Sequence, residues 1–422
     1  MQVFKFGGAS VKDANGVKNL ATVLQKVGYK NTLIVVSAMG KTTNAIERVL
    51  NNYFNNKAEL QSSIQEVKKF HNQILLDLFD DENHSVFKKT TAFFDELNRF
   101  LKTNKSPDYN FVYDQTIGFG ELISTTIISE YLNVIGVKNN WIDVRNQIKT
   151  DNYYRRAHVN WSETQSLISS QFNKNILNIT QGFLGSDSNN FTTTLGREGS
   201  DYTAAIYAYC LNAESVTIWK DVPGILNADP RYFENAQLLN KISYREAIEL
   251  AFYGASVIHP KTLQPLQRKE IPLYVKSFLN PEQDGTMVCK NTTLEPMIPC
   301  FIVKKNQVLI SLSSLDFSYI VEDNISDIFK LLHQYKMKVD VIQNSAISFS
   351  VCIDNIYNNL EELLYHLKSK FKVTCNENVS LYTIRHYNAN AIKQIETGKT
   401  VLLKQLTQET VQIVTQTIST LK

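Results

Sequence analysis

The sequence predicts an α/β protein: a mostly parallel sheet sandwiched by helices over residues 1–287, followed at 300–422 by a smaller α+β region of ferredoxin-like order. Two patterns carry this reading. Up to about residue 287, short β-branched runs alternate with longer amphipathic stretches, as expected of a parallel sheet whose crossovers are helices. Beyond residue 300 the runs follow a β-α-β-β-α-β order, the split-βαβ arrangement. With 422 residues, 43% of them hydrophobic, the chain can fill more than one core.

Taken in order, the strands of the first region are QVFKF (2–6), TLIVVSA (32–38), NWIDV (140–144), ILNITQGF (176–183), SVTIW (215–219) and IPLYVKS (271–277). Helical periodicity falls at 14–27, 62–78, 121–132 and 202–211. A long polar helical insert between Thr42 and Lys105 shows no chemistry, and its charges read as a solvated face. The stretch MVCKNTTLEPMIP (287–299) loses periodicity and holds two prolines, which makes it the best linker in the chain. After it come VLISLSS (308–314), a helix at 324–335, KVDVIQ (338–343), AISFSVCI (346–353), a helix at 360–370 and FKVTC (371–375). A second pass runs from VSLYTIRHY (379–387) to ETVQIV (409–414) and looks like an incomplete repeat.

Composition excludes several classes. Forty-four Lys plus Arg stand against 41 Asp plus Glu, and neither sign forms a long block, so neither nucleic acid nor a membrane surface is indicated as a partner. The five cysteines are odd in number and include no C-x-x-C pair, so they read as reduced thiols of a cytoplasmic protein rather than as a disulfide frame or a zinc site. No apolar run reaches the roughly 18 residues that cross a bilayer.

Three glycine-bearing stretches invite a nucleotide reading, and two fail the obvious templates. VVSAMGKTTN ends like a P-loop but has Val35 where the first glycine belongs, and GFGELI has Ile123 where the dinucleotide fingerprint needs a small residue. What survives is a set: KFGG (5–8), SAMGKTTN (37–44), GFGELIS (118–124), QGFLG (181–185) and TTLGREGSD (193–201). Each sits where a strand should end and a loop or helix begin. In a doubly wound sheet such ends converge on one crevice.

Residue types then suggest chemistry. Lys5 at the end of the first strand, with Gly7 and Gly8 baring backbone amides, suits phosphate. Ser200 reads as the N-cap of a helix from Tyr202, whose free amides add a second anion-binding edge. Arg197 can grip a carboxylate and Glu121 can pair with an ammonium group, which together suit an amino acid. Each residue also has a plainer role: Lys5 as a snorkelling edge lysine, Arg197 and Glu121 as surface ion-pair partners, Ser200 as an ordinary cap. Their convergence favours the site. His259 lacks a second ligand at metal spacing and reads as a structural hydrogen-bonding residue.

In this order, KFGGAS, VVSAMGKTTN, GFGELIS, ITQGFLGSD, TTLGREGSDYTAA, WKDVPGILNADPR and FYGASVIHPKTLQPLQ resemble the aspartate kinases of the amino acid kinase family, over residues 2 to about 287. The C-terminal unit resembles the ACT regulatory domain, with its second copy shortened. The resemblance implies transfer of the γ-phosphoryl group of ATP, with Mg²⁺, to the β-carboxylate of L-aspartate, for lysine, threonine and methionine synthesis. It further implies a lysine or threonine effector at the ACT region and a homodimer. A glutamate kinase-like enzyme and a non-catalytic ACT-based sensor are the competing readings.

The resemblance also assigns roles. Lys5 and Asp201 take the catalytic positions, with Asp201 orienting Lys5. Ser37, Thr43, Glu121, Phe183, Gly185, Arg197 and Ser200 match substrate contacts. Lys5, Gly7, Gly8, Lys220, Asp221, Leu226, Arg231 and Ser256 match the nucleotide side, and no residue is assigned as a metal ligand. Three positions depart from the family pattern: Glu198 stands where GRGGSD has glycine, Leu226 where a tyrosine is common, and Ser256 where GAKV has lysine. Lys220 and Lys261 are the cations available to replace that lysine.

Overall fold

The computed structural model describes residues 1–255, 258–316 and 318–417. These form two compact units that interleave along the chain. One comprises residues 1–225, 238–248 and 258–294, the other 226–237, 249–257 and 295 onward. A single cut between residues 287 and 300, as the sequence suggests, therefore leaves out two short excursions.

The first unit runs β1 (Gln2–Phe6), α1 (Ala14–Val27), β2 (Thr32–Val36), α2 (Thr42–Asn55), α3 (Leu60–Leu78), α4 (Ser85–Thr103), α5 (Tyr109–Ile117), α6 (Phe119–Val134), β3 (Asn139–Ile142), α7 (Trp161–Gln171), β4 (Leu177–Gln181), β5 (Leu184–Ser186), β6 (Thr192–Thr194), α8 (Gly199–Leu211), β7 (Ser215–Lys220), β8 (Lys241–Ser243), α9 (Tyr244–Tyr253, whose second half falls in the other unit), α10 (Pro260–Arg268), β9 (Leu273–Ser277) and β10 (Thr286–Cys289). Among the described residues the sheet order is β3-β4-β2-β1-β7-β9-β10-β8, parallel except where β10 meets β9. A parallel sheet is buried on both faces, so its strands read as unbroken apolar runs. All five residues of β2 are buried accordingly.

Local signals fix several of these elements. Helix α1 starts where the Asp13 carboxylate accepts from the Gly16 amide at 2.8 Å and stops at Gly28 with φ 85°, a side-chain N-cap and a glycine stop. Strand β1 lies between β2 and β7, with Lys5 opposite Val35 and Ile218. Trp219 on β7 stacks on Phe6 at 6.0 Å. The insert also has a packed inner side. Its helices α2, α3 and α4 bury Ile46, Leu50, Ile64, His71, Leu75, Phe94 and Leu97, so only their outer faces are solvated.

The second unit adds β11 (Cys300–Ser313), α11 (Glu322–Gln334), β12 (Lys338–Asn344), β13 (Ser348–Asp354), α12 (Leu360–Lys368), β14 (Lys372–Arg385), α13 (Ala389–Glu396), β15 (Lys399–Leu406) and β16 (Thr410–Thr417). Its sheet is antiparallel, in the order β12-β13-β11-β14-β16-β15. The runs 371–375 and 379–387, separate in the sequence reading, belong to the one long strand β14. Helices α11 and α12 pack on Ile310, Leu312, Val351 and Ile353. Helix α13 packs on Ile384, Val411 and Ile413. The sequence reading missed α13 and β15, each only eight residues long. Among the described residues no helix is long and apolar enough to cross a membrane.

Candidate active site

The carboxyl ends of β1, β2 and β4 meet the start of α8. Parallel pairing places the three strand ends side by side, and backbone contacts tie their loops together. The Ser37 amide donates to Phe6 O at 3.1 Å, the Gly40 amide to Gly8 O at 3.0 Å, and the Gly182 amide to Val36 O at 2.9 Å. At two glycines only a bare backbone fits. A Cβ on Gly8 would lie 2.8 Å from Ala38 O, and one on Gly182 would lie 2.4 Å from the Ser200 Cβ and 2.7 Å from its Cα. The second contact is what lets the tip of β4 pack against the first turn of α8.

Lys5 reaches this junction from inside the sheet. Its Nζ lies 2.6 Å from the Asp201 Oδ1, with the two side chains 12% and 5% exposed. An ion pair this dry is held far more firmly than a surface pair. Gly7 sits beside the ammonium group, its missing Cβ position 3.2 Å from Nζ. Asp201 is in the first turn of α8, where the unpaired amides of a helix start gather.

Glu121 occupies the first turn of α6 and is buried. Its Oε1 accepts from the Ala38 amide at 3.3 Å, and its Oε2 has no hydrogen-bond partner among the described residues. Burial pushes the carboxyl up from 4.5 to about 8, against the smaller opposing pull of the Ala38 amide and its own backbone amide. A buried acid without a cation is costly. The surface ion-pair reading of Glu121 is thus excluded by its burial.

The remaining assigned residues fall as follows. Ser37 closes the β2 end and accepts on its carbonyl from Ser124 Oγ at 2.8 Å. Thr43 lies in the first turn of α2, half-buried. Phe183 adopts φ 73° and donates its amide to Thr203 Oγ1 at 2.9 Å. Gly185 is buried in β5, paired with Thr193 of β6. Arg197 is exposed. Ser200 is not the N-cap. Helix α8 begins at Gly199, with Glu198 in the left-handed region (φ 54°, ψ 28°) as the capping position two residues before Ser200, and Ser200 is buried inside the first turn.

Glu198, standing where the resembled pattern has glycine, accepts from the His259 amide at 2.9 Å. His259 caps α10 through Nδ1, which accepts from the Lys261 amide at 3.2 Å, and so fills the structural role its sequence context suggests. Lys261 turns to α8: its Nζ donates to Leu195 O at 3.1 Å and lies 4.7 Å from the Tyr202 ring, and burial lowers its pKa. Lys220 ends β7 and Asp221 follows it, exposed. Leu226 and Arg231 belong to the second unit, where Arg231 pairs with Asp229 at 2.6 Å. Ser256 lies outside the described residues.

Sequence reasoning passed over Thr203, which receives the Phe183 amide, and Asp114 on α5, which receives one hydrogen bond from Arg155 and two from Thr194 at the end of β6. A signal for Asp114 was present. It shares the buried face of α5 with Val112, Tyr113 and Ile117, and an acid on an apolar face needs partners.

Comparison with known proteins identifies the family. The amino acid kinase family model matches residues 1–277. Lysine-sensitive aspartokinase 3 of Escherichia coli strain K12 is 32% identical over 359 residues, which is 81% of this chain and 76% of that protein. Among solved structures, E. coli aspartokinase III in complex with lysine and aspartate gives a TM-score of 0.82 at 28% identity, covering 98% of this chain and 95% of that one. The same enzyme in complex with aspartate and ADP gives 0.79 at 27%, covering 98% and 96%. The chain belongs to the amino acid kinase family. The relatives named above are aspartokinases.

Proposed function

We propose that this chain is an ATP-dependent aspartate kinase, which transfers the γ-phosphoryl group to the β-carboxylate of L-aspartate to give 4-phospho-L-aspartate. The observation that carries this reading is the buried carboxyl group of Glu121, whose Oε2 has no hydrogen-bond partner among the described residues and which an ammonium group would pair with in its ionised form. It accepts from the Ala38 amide, and Ala38, next to Ser37, packs against Gly8 of the loop that follows Lys5. A free amino acid supplies the cation, and the Lys5 edge supplies the place for phosphate.

The acceptor carboxylate, with a pKa of about 3.9, is already ionised at neutral pH and needs no general base. The barrier is repulsion: two unit charges at about 4 Å repel by about 1 kcal/mol in water and several-fold more in a dry site. Lys5, held by Asp201, offsets that charge as it shifts in the transition state. Arg197 takes the α-carboxylate, and Phe183 and Gly185 shape the loop beside it. Lys220 and Asp221 serve the nucleotide.

Among the described residues no three His, Cys, Asp or Glu side chains are grouped to hold a metal ion. Mg²⁺ would enter with the nucleotide as MgATP and be held largely by phosphate oxygens and water. Bound in this way, the cation neutralises phosphate charge.

In the second unit, the reading includes lysine as the effector and pairing of two copies into a dimer in a cytoplasmic enzyme. The test of the activity is ADP release with aspartate and glutamate side by side. Turnover of aspartate is expected, and faster turnover of glutamate would overturn the assignment. Titration calorimetry with lysine and threonine tests the effector: heat from lysine is expected, and none from either would remove it.

A further inference from the structure

We infer that Asp114 is a positioning residue that holds the Arg197 loop in its substrate-binding form, an inference that rests on the function proposed above. Asp114 is fully buried on α5. Its Oδ2 accepts from the Thr194 amide at 2.8 Å and from the Arg155 amide at 2.9 Å, and its Oδ1 accepts from Thr194 Oγ1 at 2.8 Å. One carboxylate therefore ties the last residue of β6 to the loop before α7.

What it holds is the approach to Arg197. From Thr194 the chain passes through Leu195, whose amide donates to Phe183 O at 2.9 Å, to Gly196 with φ 79° and then Arg197. The loop at 155–157 packs beneath: the Ala157 amide donates to Thr194 O at 3.0 Å, and a Cβ on Gly196 would lie 3.2 Å from Arg155 O. Arg155 itself sits at φ 68°, a left-handed conformation unusual for an arginine. Its amide reaches Asp114 in that conformation, and its guanidinium lies over Tyr113 at 4.5 Å and Tyr109 at 5.7 Å. The Arg155 loop and the end of β6 are thus set by a single buried acid.

The charged and titratable groups facing Asp114 are few. Arg155 faces it from the 155–157 loop, Tyr113 from its own helix with Glu47 of α2 behind, and Tyr154 with Asp187 behind. Burial raises the Asp114 carboxyl to about 6, opposed by the amides of Arg155 and Thr194, the Thr194 hydroxyl and the Arg155 charge. Below that pH the group is neutral and accepts less strongly. The two loops should loosen together as it protonates.

The test is Asp114→Asn, read by amide exchange and by kinetics. Exchange at the Arg155 and Thr194 amides should quicken about tenfold or more, because an amide side chain replaces a charged acceptor. KM for aspartate should rise about tenfold, with a smaller change in kcat and none in KM for ATP, as expected when only ground-state positioning is lost. Below pH 6 the wild-type KM for aspartate should rise more steeply than it does between pH 6 and 8, and this added steepness should be missing in the variant. Thr194→Val keeps both amide donors and should give an intermediate effect, which decides the matter if Asp114→Asn does not fold. A folded Asp114→Asn protein with unchanged exchange and unchanged aspartate KM overturns the inference while leaving the kinase reading intact. If the wild type turns over no aspartate, the kinase reading fails, and exchange alone decides the role of Asp114.

Discussion

The Lys5 ammonium stands 2.6 Å from the Asp201 carboxylate at the meeting point of a strand end and a helix start. Strand β1 fixes the lysine backbone between two parallel neighbours, so the side chain has one way out of the sheet. Lys5→Ala should lower kcat by about 10²- to 10³-fold, comparable with removing one preorganised donor to a transition-state charge. The fold should survive with reduced stability, because the change leaves the β1 ladder intact but strips the buried Asp201 of its cation. Asp201→Asn keeps the shape but frees the lysine, and should cost less than Lys5→Ala. Single-turnover rates with MgATP and aspartate measure both, and a Lys5→Ala rate equal to wild type would remove this lysine from the mechanism.

Glu121 predicts a pH dependence. In the empty site burial holds the group largely neutral below about 8, while an incoming ammonium pairs with the ionised form. Aspartate binding below that pH must therefore expel a proton. Affinity should rise about tenfold per pH unit up to about 8 and then level off. Glu121→Gln should remove the slope and weaken aspartate binding by about 10²-fold, the loss of a buried charge-assisted contact. Equilibrium titrations from pH 6 to 9 decide it. A flat profile for the wild type would show that Glu121 is already ionised when empty.

The sequence exposes this site well where function resides in backbone geometry. Gly8 and Gly182 are legible because no other residue tolerates 2.8 Å from a carbonyl or 2.4 Å from a neighbouring Cβ, so glycine at a strand end announces a close approach. Helix α1 is legible to the residue, since Asp13 and Gly28 mark both ends. What stayed hidden is long-range. Nothing local reveals that Asp114 receives Arg155 and Thr194, 41 and 80 residues away, or that α8 starts on a left-handed Glu198 rather than on Ser200. The interleaving of residues 226–237 and 249–257 with the second unit is likewise a product of tertiary contacts.

Gly182→Ala tests the packing of β4 against α8. Its new Cβ meets the Ser200 Cβ, Oγ and Cα at 2.4, 2.5 and 2.7 Å. The Cα is backbone, so rotating the serine side chain gives no relief. The start of α8 must move, carrying Asp201 from Lys5. A loss of about 1–3 kcal/mol in stability is expected for such overpacking, together with a fall in kcat/KM larger than the change in aspartate affinity. Thermal unfolding and steady-state kinetics on one preparation check both. A variant as stable and as active as wild type would mean that the β4 tip yields instead.

His71 makes the insert a determinant of acid stability. It lies fully buried on α3, with Nδ1 donating to Val67 O at 2.8 Å and Nε2 3.4 Å from Thr42 Oγ1. Burial lowers its pKa from 6.5 to about 4. The folded protein therefore keeps the ring neutral across a range in which the unfolded chain protonates it. This contribution to stability is complete above pH 6.5, is lost as pH falls from 6.5 to about 4, and amounts in full to about 3 kcal/mol. His71→Gln, which retains a donor and an acceptor but cannot titrate, should be less stable than wild type at pH 7.5 and should narrow that gap by pH 4.5. Because Thr42 opens the helix that carries Thr43, partial unfolding of α3 should also raise KM for aspartate in the same acid range. Urea unfolding midpoints of the two proteins at both pH values provide the measurement, and a gap that does not change with pH would assign the acid loss to other groups.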